Sequence, residues 1–441
     1  MHIYIAGIGG SGLAPLAHLA LDLGITVSGS DIVASETLTE LSNRQAKIST
    51  VQDGQFIEQI HSEDFIDWFI YTSAIKTKTH PEYQFVEQWN QDHPENQIRI
   101  SKRSGFINFL LQKYNLKLIA VAGTHGKTTT TAMIVWLFQN LGIPVSYLVG
   151  ADLTFGRAAK YEKNSQYFVY ECDEFDRNFL DFYSNYTVLT SLDYDHPDIY
   201  PTVTDYLQAF TQFLEQTKEL VLAWEPDLAK LKLVNFNRLL SIDLDKHSAQ
   251  IDQLQLVGSQ NRRNGYLALK LVEQLGLGEL DKLTNLLETF PGTKRRFEKL
   301  ADFVFTDYAH HPTEIAATIQ MAQEFKARKG LTEAKIVVVY QPHQNTRQHQ
   351  IYKDYKHCFD GVDYLFWVPT YLTRENPNLK ILQPTDLIAQ VNPDNKQIVP
   401  AKLNAELTNQ LKEFQLNSDI ILFLGAGDID AYARQFVLDF T

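Results

Sequence analysis

Gly123-Thr124-His125-Gly126-Lys127-Thr128 lies between an apolar run ending at Ala122 and an amphipathic run that begins with Thr129, the layout of a strand, a phosphate-cradling loop and a helix start. In such a loop the backbone N–H groups point inward and the helix that follows adds its positive end. The Lys127 ammonium reaches the outer phosphates and the Thr128 hydroxyl is a ligand for Mg²⁺. The chain is therefore expected to bind ATP through Gly123, Thr124, His125, Gly126, Lys127, Thr128 and Thr129. The position five before Gly126 is Val121, where the common G-x-x-x-x-G-K-[ST] pattern has Gly, and this departure narrows the family.

Other chemistry-bearing residues stand at the ends of apolar runs. Tyr167-Phe168-Val169-Tyr170 leads into Glu171-Cys172-Asp173-Glu174-Phe175-Asp176, and Thr187-Val188-Leu189-Thr190 into Ser191-Leu192-Asp193-Tyr194-Asp195-His196. Ligands of parallel α/β sheets collect at the carboxyl ends of strands, so these two loops and the ATP loop are expected to converge. A carboxylate directly after a buried strand is costly unless it is paired or bound to a cation. Glu171 can therefore join Thr128 as a hard oxygen ligand of Mg²⁺.

A second glycine loop opens the chain. Strand 2–6 runs into Gly7-Ile8-Gly9-Gly10-Ser11-Gly12 and then the helical pattern Leu13, Leu16, Ala17, Ala20, Leu21. Gly7 permits the tight turn, Gly9 the approach of backbone to a diphosphate, and Gly12 close helix packing. Asp31, about 20 residues on at the end of a second strand, can accept from a ribose or base. Read alone, this is the pattern of an NAD or FAD site.

The last segment alternates again. A strand over 302–307 leads through Tyr308-Ala309-His310-His311-Pro312-Thr313-Glu314 into a helix with Pro312 at its first position and Ile315, Ile319 and Ala322 on one face. Strands over 335–340, 364–368 and 420–424 follow, the first ending at Gln341-Pro342-His343 and the last at Gly425-Ala426-Gly427-Asp428. No further Cys or His spacing completes a zinc set around His310 and His311, which favours hydrogen bonding over metal ligation.

These elements specify an α/β protein: a Rossmann-like N-terminal domain over 1–105, a central P-loop ATPase-type domain over 106–291, and a Rossmann-like C-terminal domain over 292–441. The length of 441 residues exceeds what one core supports. A net charge of −13 argues against non-specific nucleic-acid binding, which needs a basic footprint. Only Cys172 and Cys358 are present, fitting a reducing compartment. The first 30 residues lack a signal-peptide pattern, and no run reaches the ~18 apolar residues of a membrane span, so a cytoplasmic protein without a membrane partner is expected.

Taken in order, these pieces resemble the ATP-dependent Mur ligases of peptidoglycan synthesis over nearly the whole length. The resemblance is carried by both glycine loops, Ser28-Gly29-Ser30-Asp31, Thr72-Ser73-Ala74-Ile75, Glu171-Cys172-Asp173-Glu174, Asp195-His196, Gly258-Ser259-Gln260-Asn261-Arg262-Arg263-Asn264, Lys294-Arg295-Arg296-Phe297, Asp307 to Glu314 and Gly425-Ala426-Gly427-Asp428. Within the family the chain is most similar to the members that attach L-alanine to UDP-N-acetylmuramate, while the runs at 173–176 and 195–200 are also similar to the branch that attaches an intact L-Ala-D-Glu-meso-diaminopimelate tripeptide.

The resemblance implies that Gly9, Gly10, Ser11, Gly12, Asp31 and Ser73 hold the sugar nucleotide in place of a nicotinamide cofactor. It implies catalytic roles for Lys127, Glu171, His196, His310 and His343, with the first Mg²⁺ on Thr128 and Glu171 and a second on His196. Gln260, Asn261, Asn264, Arg296 and Asp307 would serve the nucleotide, Asn261 at adenine, while His311 and Arg347 face the amino acid and substrate. The implied partners are small molecules, UDP-N-acetylmuramate and L-alanine, acting on a monomer or homodimer. Two positions depart from the family pattern: Gln260 stands where His is common, and Gln344 where the L-alanine-adding members have a cation.

Overall fold

Strands that read as continuous apolar runs are buried on both faces, as parallel sheets covered by helices require. The computed structural model describes residues 1–72, 75–196, 199–233, 236–373, 375–393 and 396–439. In it, β1 (His2–Ala6), β2 (Thr26–Ser30), β3 (Lys47–Ser49), β4 (Trp68–Tyr71) and β5 (Arg99–Ser101) form an all-parallel sheet in the order β3-β2-β1-β4-β5. The order reverses at β1, and the crevice at such a switch point is where ligands bind. The first glycine loop leaves β1 there.

A second sheet comprises β6 (Lys117–Ala122), β7 (Val145–Leu148), β8 (Ala159–Lys160), β9 (Tyr167–Glu171), β10 (Tyr186–Leu189), β11 (Leu220–Trp224) and β12 (Leu239–Ile242). Its order is β12-β11-β10-β6-β9-β7-β8, parallel except for the short β7–β8 pair. Because β10, β6 and β9 are adjacent, the ATP loop and both acidic strand ends emerge side by side, as the sequence requires for one site.

The third sheet holds β13 (Glu298–Ala301), β14 (Val304–Asp307), β15 (Ile336–Tyr340), β16 (Tyr364–Trp367), β17 (Gln397–Pro400) and β18 (Ile420–Leu424) in the order β13-β14-β18-β15-β16-β17, parallel except for β13–β14. The strand expected over 302–307 is in fact the second arm of a hairpin: Asp302 and Phe303 turn the chain, with Phe303 at φ +61°. Its partner β13 is a half-exposed edge strand, so Glu298-Lys299-Leu300-Ala301 carries no run of buried apolar residues to betray it. The helix Pro312–Arg328 begins as expected at Pro312, with a capping box between His311 and Glu314.

Met1–Gln250 with Asn264–Phe290 forms one compact unit, holding the first two sheets, and Ile251–Arg263 with Pro291–Thr441 forms another around the third sheet. Within the first unit one apolar core runs from Ile3 and Leu16 through Phe106 and Leu110 of the helix Arg103–Lys113 to Tyr170 and Phe210. In the second unit Arg262 binds Glu324 at 2.7 Å, and Glu324 also accepts the Gly258 N–H at 2.9 Å, fastening residues 251–263 to the helix Pro312–Arg328. Cys172 and Cys358 are buried free thiols. Among the described residues no helix is long and apolar enough to cross a membrane.

The join between the first two sheets has a polar centre. Asp22 accepts from Arg44 at 2.6 Å, from Arg157 at 3.0 Å and from the Tyr161 N–H at 3.0 Å. Asp22→Ala leaves two guanidinium groups without their anion and is expected to lower stability by about 2 kcal/mol, less than for a fully buried pair because Arg157 is partly exposed. A urea titration checks this: the midpoint falls with an unchanged slope, and an unmoved midpoint would show that the contact is incidental.

Candidate active site

Two glycines shape the ATP loop. Gly126 sits at φ +82°, and a Cβ there would come within 2.5 Å of Asn264 Oδ1; Gly123 sits at φ +133°, where a Cβ would meet Thr190 Oγ1 at 2.4 Å. Both positions require the missing side chain and the left-handed backbone. The loop is pinned to the strand end after β10: the Thr124 N–H donates to Ser191 O at 3.1 Å and the His125 N–H to Ser191 Oγ at 2.9 Å. The Thr124 hydroxyl lies 2.7 Å from Asp193 O and 2.8 Å from the Tyr206 hydroxyl. The helix Lys127–Asn140 then starts with Thr128, Thr129, Thr130 and Thr131, all buried.

Lys127 Nζ folds back over this loop, donating to Gly123 O at 2.5 Å and to Glu174 at 2.8 Å. The Glu174 side chain is 2% exposed and that of Lys127 14%. Burial works against the Lys127 charge, but the Glu174 and Asp173 carboxylates more than offset it and hold its pKa above the ordinary lysine value. Burial likewise pushes the Glu174 carboxyl up, with Lys127 opposing. Glu174 is the partner of Lys127 that sequence reasoning passed over; it lies in the acidic run, but nothing in the run's composition separates it from its neighbours.

Beside this pair, Thr128 Oγ1 donates to Glu171 Oε1 at 3.0 Å, and the other Glu171 oxygen accepts the Gly150 N–H at 2.7 Å. A hydroxyl and a carboxylate next to a phosphate loop are hard oxygen donors suited to Mg²⁺, which takes its remaining ligands from phosphate and water. Among the described residues no group of three or more His, Cys, Asp or Glu side chains is arranged to hold a metal ion by itself. His196, at φ +55°, is brought to the Lys127 pair instead of the Thr128–Glu171 pair: its Nε2 is 3.8 Å from Glu174 and 3.7 Å from Asp195.

At the first glycine loop Gly10 and Ser11 are exposed. Asp31, expected to accept from a ribose or base, accepts from backbone within its own loop: its Oδ2 takes the Gly9 N–H at 2.8 Å and its Oδ1 the Val33 N–H at 3.2 Å. Gly12, expected to ease helix packing, faces a side chain: a Cβ there would lie 2.9 Å from Arg103 Nη1. Ser73 falls outside the described residues.

The second unit carries its own constellation. His310 Nδ1 donates to Tyr308 O at 3.1 Å and its Nε2 accepts from Arg347 Nη1, which fixes the neutral tautomer. Burial lowers the His310 pKa, Glu314 opposes, and Arg347 adds to the lowering. His343 stacks on Tyr371 with ring centroids 5.8 Å apart and meets the His310 ring edge-on at 5.7 Å. His311 is occupied as the helix cap, its Nδ1 taking the Thr313 N–H at 3.4 Å. A buried chain ties the two histidine loops: Tyr340 OH lies 3.2 Å from His310 O and 2.8 Å from Tyr355 OH, Tyr355 OH donates to Gln348 Oε1 at 2.5 Å, and Gln348 Nε2 donates to His343 O at 3.1 Å.

Arg296 lies over the Tyr308 ring at 5.1 Å, and Asp307 takes the N–H groups of Phe297 and Ala309 at 2.6 and 2.7 Å. Burial pushes the Asp307 carboxyl up to about 6, against the pull of Arg296 and the two N–H groups. Gln260 is exposed, and Asn261 donates to Val257 O at 3.1 Å. The structure thus brings Gly123 to Thr129 together with Glu171, His196 and Asn264 in the first unit, and His310, His343 and Arg347 together in the second.

Two outcomes are expected. Glu174→Gln leaves the Lys127 charge without its carboxylate and lowers stability by about 3 kcal/mol; thermal melts should recover part of that loss on adding ATP, whose phosphate offers Lys127 a replacement anion. An equal loss with and without ATP would separate Lys127 from the nucleotide. For Asp307, carbon NMR titration should give a midpoint near 6. Its folded pKa lies above the unfolded value of 3.8, so its ionisation opposes folding by on the order of 3 kcal/mol above pH ~6, and this opposition fades as the pH falls toward ~4. A midpoint at or below ~4 would contradict the burial argument.

With this geometry in place, the comparisons fall into line. Three family models match in succession: "Mur ligase family, catalytic domain" over residues 2–99, "Mur ligase middle domain" over 121–272, and "Mur ligase, glutamate ligase domain" over 295–427. The UDP-N-acetylmuramate--L-alanine ligase of Lactobacillus acidophilus is 30% identical over 472 aligned positions, covering 98% of both chains. The enzyme of the same name from Caldanaerobacter subterraneus is 28% identical, covering 99% of this chain and 97% of its own. Among solved structures, the UDP-N-acetylmuramate-alanine ligase MurC of Thermotoga maritima superposes with a TM-score of 0.75 at 23% identity, covering 100% of this chain and 99% of its own. A murein peptide ligase of Psychrobacter arcticus gives 0.65 at 23% identity, covering 99% of this chain and 98% of its own. Lengthwise sequence identity, three consecutive domain matches and a shared fold agree that this chain belongs to the Mur ligase family.

Proposed function

We propose that this chain joins L-alanine to the lactyl carboxylate of UDP-N-acetylmuramate at the expense of ATP, releasing ADP and phosphate. The observation that carries this reading is the near-complete overlap with L-alanine-adding relatives at 30% identity. The Lys127–Glu174 and Thr128–Glu171 pairs at the mouth of a phosphate loop support it chemically. The lactyl carboxylate oxygen attacks the γ-phosphorus, the bond from that phosphorus to the β-phosphate oxygen breaks, and an acyl phosphate and ADP result. Lys127 leaves Glu174 to neutralise charge on the transferred oxygens. The amine of L-alanine then attacks the acyl carbon, phosphate departs, and the amine gives up its proton as the amide forms.

Thr128 and Glu171 would hold Mg²⁺, which when bound would supply charge neutralisation at the phosphates. His310 is held neutral, but its Nε2 lone pair is engaged by Arg347, so it can take the amine proton only after Arg347 turns to the substrate carboxylate. The first glycine loop, exposed at Gly10 and Ser11, receives the diphosphate of the sugar nucleotide.

Purified protein should release phosphate only when ATP, Mg²⁺, UDP-N-acetylmuramate and L-alanine are all present, and Lys127→Ala should cut turnover by roughly three orders of magnitude or more while the thermal melt persists. Phosphate release indifferent to the sugar nucleotide would sink the proposal. Turnover with the L-Ala-D-Glu-meso-diaminopimelate tripeptide in place of L-alanine would move the chain to the other branch of the family.

A further inference from the structure

Arg103 is the first residue of the helix Arg103–Lys113, which lies between the first two sheets. Its guanidinium faces two ways. Nη2 donates to Asp173 Oδ2 at 3.2 Å, and only 17% of the Arg103 side chain is exposed. Nη1 sits 2.9 Å from where a Cβ on Gly12 would be, so this glycine makes room for the cation, at the end of the loop that receives the sugar nucleotide. The face of Tyr170 lies 6.0 Å from its Cζ. One planar, largely buried cation is therefore shared between the glycine loop and the acidic strand end that follows β9.

Asp173 is the more exposed half of this arrangement. Its side chain is 35% exposed, and its other oxygen accepts the Phe175 N–H at 2.9 Å. It stands between Glu171 and Glu174, and its charge acts on both Lys127 and Glu174. Next to it, Lys102 binds Asp176, so two consecutive cations from the junction of the first two sheets grip the same acidic segment.

We propose that Arg103 binds the diphosphate of the sugar nucleotide and, in turning from Asp173 to do so, couples occupancy of the glycine loop to nucleotide binding at the second sheet. This rests on the functional reading above. A diphosphate carries more charge than one carboxylate and two oxygens able to meet the guanidinium fork, so it outcompetes Asp173. Asp173, released, adds uncompensated negative charge beside Glu171 and favours the cation-bearing nucleotide. By linkage that nucleotide must tighten sugar-nucleotide binding by the same factor.

Calorimetric titration of the full chain with UDP-N-acetylmuramate, with and without Mg²⁺ and a non-hydrolysable ATP analogue, tests this. The wild type should bind the sugar nucleotide about tenfold more tightly when the Mg²⁺ analogue is present. Arg103→Lys should weaken sugar-nucleotide binding about tenfold or more and abolish that difference, since an ammonium cannot replace the fork. Asp173→Asn should do the reverse in the absence of the analogue, binding more tightly than wild type because the competitor is gone, and should also lose the coupling. A purely structural Arg103–Asp173 pair would weaken binding in both variants, or change neither, and either result overturns the proposal. UDP alone should show the same dependence on Arg103; a loss confined to the carboxylate-bearing sugar would overturn the assignment to the diphosphate. Wild-type protein that binds no uridine nucleotide overturns the functional reading and this proposal together, whereas wild-type binding that the variants leave intact overturns this proposal alone.

Discussion

A largely buried lysine ammonium and a buried glutamate carboxylate 2.8 Å apart set the terms for the centre of the first unit. Removing two ions from water costs several kcal/mol each, and close pairing with additional hydrogen bonds is what offsets it. Lys127 meets this by folding onto the carbonyl of Gly123 as well as onto Glu174, and Glu174 by taking up the Lys127 ammonium. The surroundings follow from that requirement. The carbonyl of Gly123 can face the ammonium because Gly123 and Gly126 adopt backbone that other residues resist. The strand end at Thr190 and Ser191 holds the loop shut from the other side. The carbonyl of Glu174 is in turn fixed by the Tyr200 hydroxyl. A loop kept in this form has its cation already largely desolvated and oriented.

Much of this was readable from residue types and spacing. Parallel strands buried on both faces announce themselves as apolar runs, and the residues after them fall at the sheet's carboxyl edge, which is why Lys127, Thr128 and Glu171 could be placed together before any coordinates. What the sequence did not disclose were the residues defined by what they touch. Glu174 looks like any member of an acidic run until its neighbour is known to be Lys127. Arg103 is one arginine at the start of one helix, and only the empty space at Gly12 marks it out. The hairpin partner β13 escaped because an edge strand with one wet face has no continuous apolar signature.

Asp31 and Gly12 show a second limit. Each matches a pattern whose usual meaning is known, and at each the structure shows a neighbour that the pattern does not name: Asp31 holds the turn of its own loop, and Gly12 accommodates a cation. A pattern specifies which residue type fits a backbone shape, not which atom will use the position. The same holds for His310, His311 and His343. Residue type alone left them equivalent, whereas their contacts make one a neutral ring engaged by Arg347, one a helix cap, and one a ring stacked on Tyr371.

The chain of hydroxyls and amide between Tyr340, Tyr355 and Gln348 carries a direction. Tyr355 gives its proton to the Gln348 oxygen, and the Gln348 nitrogen gives its own to the His343 carbonyl, so the amide has one orientation that satisfies both ends. The two histidine loops are thereby held in a common register through a conduit that solvent does not reach. Neither loop is free to drift independently over evolutionary time. A replacement that shifts the His343 loop must be matched at Gln348 or Tyr355, and through Tyr340 at the loop of His310. The two loops are in that sense one block, and a change in what they bind is expected to proceed at the exposed rim around them, leaving the buried links as they stand.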